Sequence, residues 1–128
     1  LEMEEALRQL LDACCRDQEE WREAAWRGLQ ERERQGGTFV GEEVAIPHAR
    51  IAGLPRPLVA LGVSKTAIQD RESGQRIRIV FLLLSPLDPP ESHVQMLRRI
   101  SKRVRDDPWR QRALAARDPA DVIALLQE

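Results

Sequence analysis

The chain has 128 residues, 42% hydrophobic and 32% charged, with a formal net charge of -1. That length suits one domain around one core, and the composition excludes intrinsic disorder. The balanced charge gives no global pull toward nucleic acid or anionic membranes, and the longest apolar run, Ile79–Leu84, is far shorter than the roughly 20 residues that cross a bilayer as a helix.

In chain order, Met3, Ala6, Leu7, Leu10, Leu11 and Cys14 recur at helical spacing and predict a helix over residues 3–16. Its acidic, amphipathic start does not read as a signal peptide. Cys14 and Cys15 are adjacent, so they are badly placed to pair and lack zinc spacing. They read as reduced thiols of a cytoplasmic protein, with Cys14 turned to the core. Asp17, with Glu20 three residues on, resembles the cap of a second helix reaching Arg34, with Trp21, Ala25 and Leu29 on one face. The Gly36–Gly37 pair ends it.

From Phe39 the period changes to that of strands. Val44–Pro47 reads as a strand end, and residues 57–66 as a β-rich run. Residues 70–75 read as a turn. Residues 76–85 begin by alternating and become wholly apolar, which fits a central strand buried on both faces except at its entry. Ser92, with Gln95, is expected to cap a third helix whose apolar stripe is Val94, Leu97, Ile100 and Val104. Pro108 at a first helical position and Asp118–Pro119 open two short helices. Helices, then strands, then helices predict an α/β fold with a mixed sheet between helix layers. The short links at 53–57 and 67–75 predict antiparallel neighbours.

The chemistry centres on two histidines. Pro47 confines the residues around it to a strand end, where ligand sites of open α/β sheets cluster. On an extended chain His48 and Arg50 point the same way. Imidazole beside a fixed cation suits phosphate, with nitrogen attacking phosphorus and guanidinium holding the oxygens. His93 lies in the first turn of a helix, where the partial positive charge attracts anions. Taken singly, each histidine also fits a hydrogen-bonded structural role, and Arg32 and Arg50 fit solvated charges. The basic run 98–105 spreads around its helix and reads as a solvated face rather than a nucleic-acid site. The hydrolase, Walker, dinucleotide and zinc-protease motifs are missing, which leaves a histidine phosphoesterase without support.

The segment "RERQGGTFVGEEVAIPHAR" resembles the active-site segment of type-2 IIA domains of the bacterial phosphotransferase system. It carries the Arg32–Glu33 pair, the Gly36–Gly37 turn, Thr38, Gly41 and the "AIPHAR" run. "ESHVQMLRRIS" resembles the later family segment, in which a second active-site histidine opens a helix. Both histidines fall on the family's histidine positions, and the resemblance covers residues 4–127.

The resemblance implies that His48 accepts a phosphoryl group from HPr or its nitrogen-branch counterpart and passes it to a IIB domain, or holds it as a signal. It implies that His93 orients the group and Arg32 stabilises its charge, with Arg50 and Thr38 as further phosphate-binding candidates. No metal or organic cofactor is implied, and no nucleic-acid partner or membrane insertion. Leu54 and Pro55 are expected on an apolar docking rim.

Glu43 departs from the pattern, standing where relatives often have glycine; a positive φ there would strain it. The family's short segment ahead of the first helix has no counterpart, so residues 1–128 are expected to be a single domain of a longer chain, with a transporter tail as one setting. The alternative to a carrier is a non-catalytic regulatory domain that keeps the fold and docks on a transporter.

Overall fold

The computed structural model describes residues 2–16, 18–70 and 74–127. Along the chain run α1 (Met3–Cys14), α2 (Glu19–Arg34), β1 (Phe39–Gly41), β2 (Val44–Ala45), β3 (His48–Ile51), β4 (Leu58–Gln69), β5 (Arg76–Pro86), α3 (Pro90–Val104), α4 (Asp107–Leu114) and α5 (Pro119–Leu126).

The apolar run in β5 makes it the spine of the sheet. Its successive side chains go to opposite faces, as strand geometry dictates. Leu82 and Leu84 enter a core with Leu7 and Leu11 of α1 and Ala25 and Leu29 of α2. Ile79, Phe81 and Leu83 enter a second core with Ile100 and Val104 of α3, Trp109 and Ala113 of α4 and Leu125 of α5. Each fully buried Leu, Ile, Val or Phe among them contributes about 1.5–3 kcal/mol. The sheet therefore lies between helix layers, as the sequence predicts.

Antiparallel β4 pairs with one edge of β5 along most of its length. On the other edge β2 and β3 run parallel to β5, one after the other. Val44 pairs with Ile79 and His48 with Leu83, so the register carries straight through the interruption at Ile46–Pro47. β1 pairs antiparallel with β2. The sheet is mixed, as expected, with one correction. β3 and β4 are not paired neighbours: β5 lies between them, and the short link at 53–57 crosses its end. The 71–73 part of the expected turn between β4 and β5 lies outside the described residues; beside it, Asp70 N–H donates to Gln75 O (2.9 Å).

Three details near the helix ends differ from expectation. The Asp17 cap is not one of them, since Asp17 lies outside the described residues; Gln18, at the N-cap of α2, makes no side-chain cap. Cys14 is half-buried and packs against the core, while Cys15, in the turn that follows the helix, is fully buried. Ser92 is not a cap: α3 begins at Pro90, whose fixed φ suits a first helical position, so Ser92 sits inside the first turn. Asp106 caps α4 by accepting from Trp109 N–H, which leaves Pro108 second in that helix. Asp118 caps α5 as expected. In α3, Ile100 and Val104 are core, whereas Val94 is exposed.

One close approach sets the position of β3. A Cβ on Gly28 would stand 3.1 Å from Ala49 Cβ. Glycine weakens a helix interior by about 1 kcal/mol, and here it lets α2 lie directly against the strand that carries His48.

Candidate active site

Within β3, Ala49 and Ile51 turn into the core beneath α1 and α2. His48 and Arg50 therefore face the α3 side, as the two-residue strand period requires. His48 Nδ1 lies 2.7 Å from the carbonyl oxygen of Ile46. A carbonyl only accepts, so Nδ1 carries the proton. The other nitrogen, Nε2, keeps its lone pair and accepts from Arg32 Nε–H at 3.3 Å.

Arg32 reaches His48 from the last turn of α2. A second guanidinium nitrogen, Nη1, donates to Gly36 O at 2.9 Å, which ties the side chain to the glycine turn. Thr38 braces the same turn. Its buried hydroxyl donates to Glu33 Oε1 at 2.6 Å, and its carbonyl accepts from Ile46 N–H at 2.9 Å. The Thr38 proton is thus committed to Glu33 in this state.

His93 enters from the first turn of α3, and its ring centroid is 5.5 Å from that of His48. The Ser85 hydroxyl oxygen lies 2.8 Å from His93 Nδ1. Arg50 pairs in register with Ser85, and its guanidinium donates to Leu87 O at 2.6 Å. Arg32, His48, Arg50 and His93 are therefore gathered at one end of the sheet; Thr38 supports them from behind.

Burial holds both imidazoles below the ordinary histidine value. For His48 the Arg32 cation adds to that and the Ile46 hydrogen bond opposes it. For His93 desolvation leads, followed by His48 and Arg50. A neutral imidazole with an unprotonated Nε2, flanked by cations, can attack an electrophile that carries negative charge once the Arg32 hydrogen bond to that lone pair is released. The thiols are not nucleophiles of this kind: burial and the Cys15 neighbour push Cys14 up to about 12. Among the described residues, no group of three or more His, Cys, Asp or Glu could hold a metal ion, and no helix is long and apolar enough to cross a membrane.

Residues 2–128 match the family described as phosphoenolpyruvate-dependent sugar phosphotransferase system, EIIA 2. The chain belongs to this family. Among similar proteins is the fructose-specific EIIABC component of Bacillus subtilis, 31% identical over 109 residues, which are 84% of this chain and 17% of that protein. A nitrogen regulatory protein of Bradyrhizobium diazoefficiens is 34% identical over 105 residues, 80% of this chain and 68% of that protein. In a solved complex of enzyme IIA-mannitol and phosphorylated enzyme IIB-mannitol from Escherichia coli, a matching chain gives a TM-score of 0.75 at 17% identity, covering 98% of this chain and 88% of that chain. At that identity the likeness shows the fold.

Two features of this type-2 EIIA chain depart from the sequence expectation. Leu54 is no rim residue. It is 4% exposed, buried in the core beneath α1 and α2, while Pro55 is exposed. The exposed apolar residues at the site are instead Leu87, whose carbonyl Arg50 holds, and Val94, next to His93. Ser85 was not singled out in the sequence. The signal was there: one hydroxyl closing the run Ile79–Leu84, where a buried polar group needs a partner. Glu43 does adopt the positive φ that its place in the motif suggested, at 62°, after Glu42 at 53°.

Proposed function

We propose that the protein is a phosphoryl carrier: His48 Nε2 accepts a phosphoryl group from the phosphohistidine of an HPr-type protein and delivers it to a IIB domain or holds it as a signal. The observation that carries this reading is the hydrogen bond of His48 Nδ1 to Ile46 O, which leaves Nε2 unprotonated, its lone pair accepting from Arg32. The nitrogen–phosphorus bond of the donor breaks as the bond to Nε2 forms. The donor imidazole leaves with the bonding electron pair. His48 loses no proton, because its one proton stays on Nδ1.

Such a transfer has a loose transition state and depends on positioning and charge. Arg32 turns from the Nε2 lone pair to the phosphoryl oxygens. His93 orients the group from the neighbouring ring, and Arg50 adds positive charge. Thr38 acts by fixing the Arg32 turn, since its own proton is given to Glu33. Leu87 and Val94 form the apolar surface on which the protein donors and acceptors dock. Residues 1–128 act as one IIA domain in the cytoplasm. The EIIABC relative favours onward transfer toward sugar transport, and the nitrogen regulatory relative favours phosphorylation as a signal to a target such as a transporter.

The test is incubation with phosphoenolpyruvate, Enzyme I and HPr, or their nitrogen-branch counterparts, followed by intact-mass spectrometry at alkaline pH. Wild type gains one phosphoryl mass and His48→Ala gains none. Wild type that gains none from either donor set refutes the carrier function.

A further inference from the structure

The penultimate residue of β5 carries a hydroxyl with no access to water: Ser85 is 0% exposed. The alternation that sends Leu84 under α2 and Leu83 under α3 sends Ser85 to the α3 side. There it lies two residues along the register beyond the level of His48, which pairs with Leu83, and level with Arg50. Among the described residues the hydrogen-bond partner of its oxygen is His93 Nδ1, at 2.8 Å.

A neutral imidazole carries one N–H and one lone pair. Two arrangements fit the distance. If His93 Nδ1–H donated to Ser85, the serine proton would be buried without an acceptor, and His93 Nε2 would offer only a lone pair. If the Ser85 hydroxyl donates to Nδ1, its proton is satisfied, and the His93 proton sits on Nε2. Buried donors find acceptors, so the second arrangement holds. It is also the arrangement a phosphoryl group needs, because its oxygens are acceptors that a lone pair would repel.

We infer that Ser85 is a positioning residue: its hydroxyl donates to His93 Nδ1 and thereby fixes the His93 ring and its Nε2–H tautomer toward a phosphoryl group on His48. This role rests on the proposed carrier function. His48 and His93 then hold opposite tautomers. His48 has its proton on Nδ1, set by a backbone carbonyl, and presents a lone pair for attack. His93 has its proton on Nε2, set by a serine, and presents a donor. Two neutral imidazoles 5.5 Å apart thus take different parts because their second nitrogens meet different groups.

The experiment compares wild type, Ser85→Ala and Ser85→Thr. Long-range proton–nitrogen correlation spectra of the ¹⁵N-labelled imidazoles at pH 8 report each tautomer, and phosphotransfer from HPr reports the rate. Wild-type His93 is expected in the Nε2–H form. Ser85→Ala is expected to mix the His93 tautomers, leave His48 in its Nδ1–H form, and slow transfer about tenfold, the rate equivalent of one hydrogen bond to a charged group. Ser85→Thr keeps the hydroxyl and restores both readouts. An Nδ1–H His93 in wild type overturns the inference. So does Ser85→Ala with the wild-type tautomer, whether or not its rate falls. Wild type that takes up no phosphoryl group sinks the carrier function instead, and the spectra still decide the Ser85–His93 bond.

Discussion

Replacing Glu43 by glycine is expected to stabilise the protein. Glu43 stands in the turn between β1 and β2 at φ 62°, preceded by Gly41 at 97° and Glu42 at 53°. A side chain in the left-handed region costs roughly 1–2 kcal/mol because its Cβ crowds the following carbonyl. Glu43 carries a second penalty, since its Oε2 is buried without a hydrogen-bond partner. Stranding a polar atom costs about 1–3 kcal/mol. Against these, glycine loosens the unfolded chain by about 0.4–1 kcal/mol, and some aliphatic packing goes with the side chain. The net gain for Glu43→Gly is about 1–3 kcal/mol, read as a raised urea midpoint at unchanged slope. Glu43→Ala removes the carboxylate but keeps the backbone strain, so it should gain about 1 kcal/mol less. Glu42→Gly is the control. The Glu42 side chain is 73% exposed and 3.9 Å from Arg110, so that weak pair is worth little and the variant should gain less than about 1 kcal/mol. Glu43→Gly no more stable than wild type, or Ala as stabilising as Gly, would refute the strain argument.

Leu54 and Leu87 should behave oppositely. Leu54→Ala opens a cavity in the core and should cost about 2–5 kcal/mol in denaturant unfolding, while Leu87→Asp should keep stability within about 1 kcal/mol and slow phosphotransfer; equal effects on transfer at equal stability would place the docking surface elsewhere. Both imidazoles are held below 6.5, so at higher pH neither the native nor the unfolded state protonates them. As pH falls below 6.5 the unfolded chain takes up protons that the native sites refuse, and stability declines. Unfolding curves of His48→Ala/His93→Ala should show a shallower decline; an identical slope would contradict the neutral pair. Gly28→Ala puts a methyl 3.1 Å from Ala49 Cβ and should destabilise by about 1–3 kcal/mol through overpacking, a cost that a melting curve at or above wild type would disprove.

The layered fold was legible because β5 announces itself. A run apolar at consecutive positions is intelligible only with cover on both faces, and helical patterns on either side of the strands supply it. The site was legible for a different reason: the motif around His48 is short and its spacing is local. What escaped was whatever depended on a distant partner. The 53–57 link is as short as a hairpin connection, yet β5, contributed later in the chain, occupies the position between β3 and β4. Leu54 follows the motif immediately and looked available for docking, but the turn folds it under α2. The end of α3 misled because Ser92 is a good capping residue in the wrong place. Pro90 starts the helix two positions earlier, and His93 stays in the first turn either way.

The place of the His48 proton follows from the strand that carries the ring. β2 and β3 share one register along β5, so the chain from Val44 to Ile51 could have been one strand. Pro47 has no N–H to give and fixes its own φ. The ladder lapses at Ile46–Pro47, although Pro47 O still accepts from Leu83 N–H at 3.0 Å and keeps the register. Ile46 N–H is given to Thr38, and Ile46 O is turned to the imidazole two residues on. Glu43 O accepts from Ile79 N–H and Pro47 O from Leu83 N–H, both toward β5, so Ile46 O, which lies between them in the strand alternation, faces the other edge. There it holds the Nδ1 proton of His48, which leaves the Nε2 lone pair on the side that Arg32 faces.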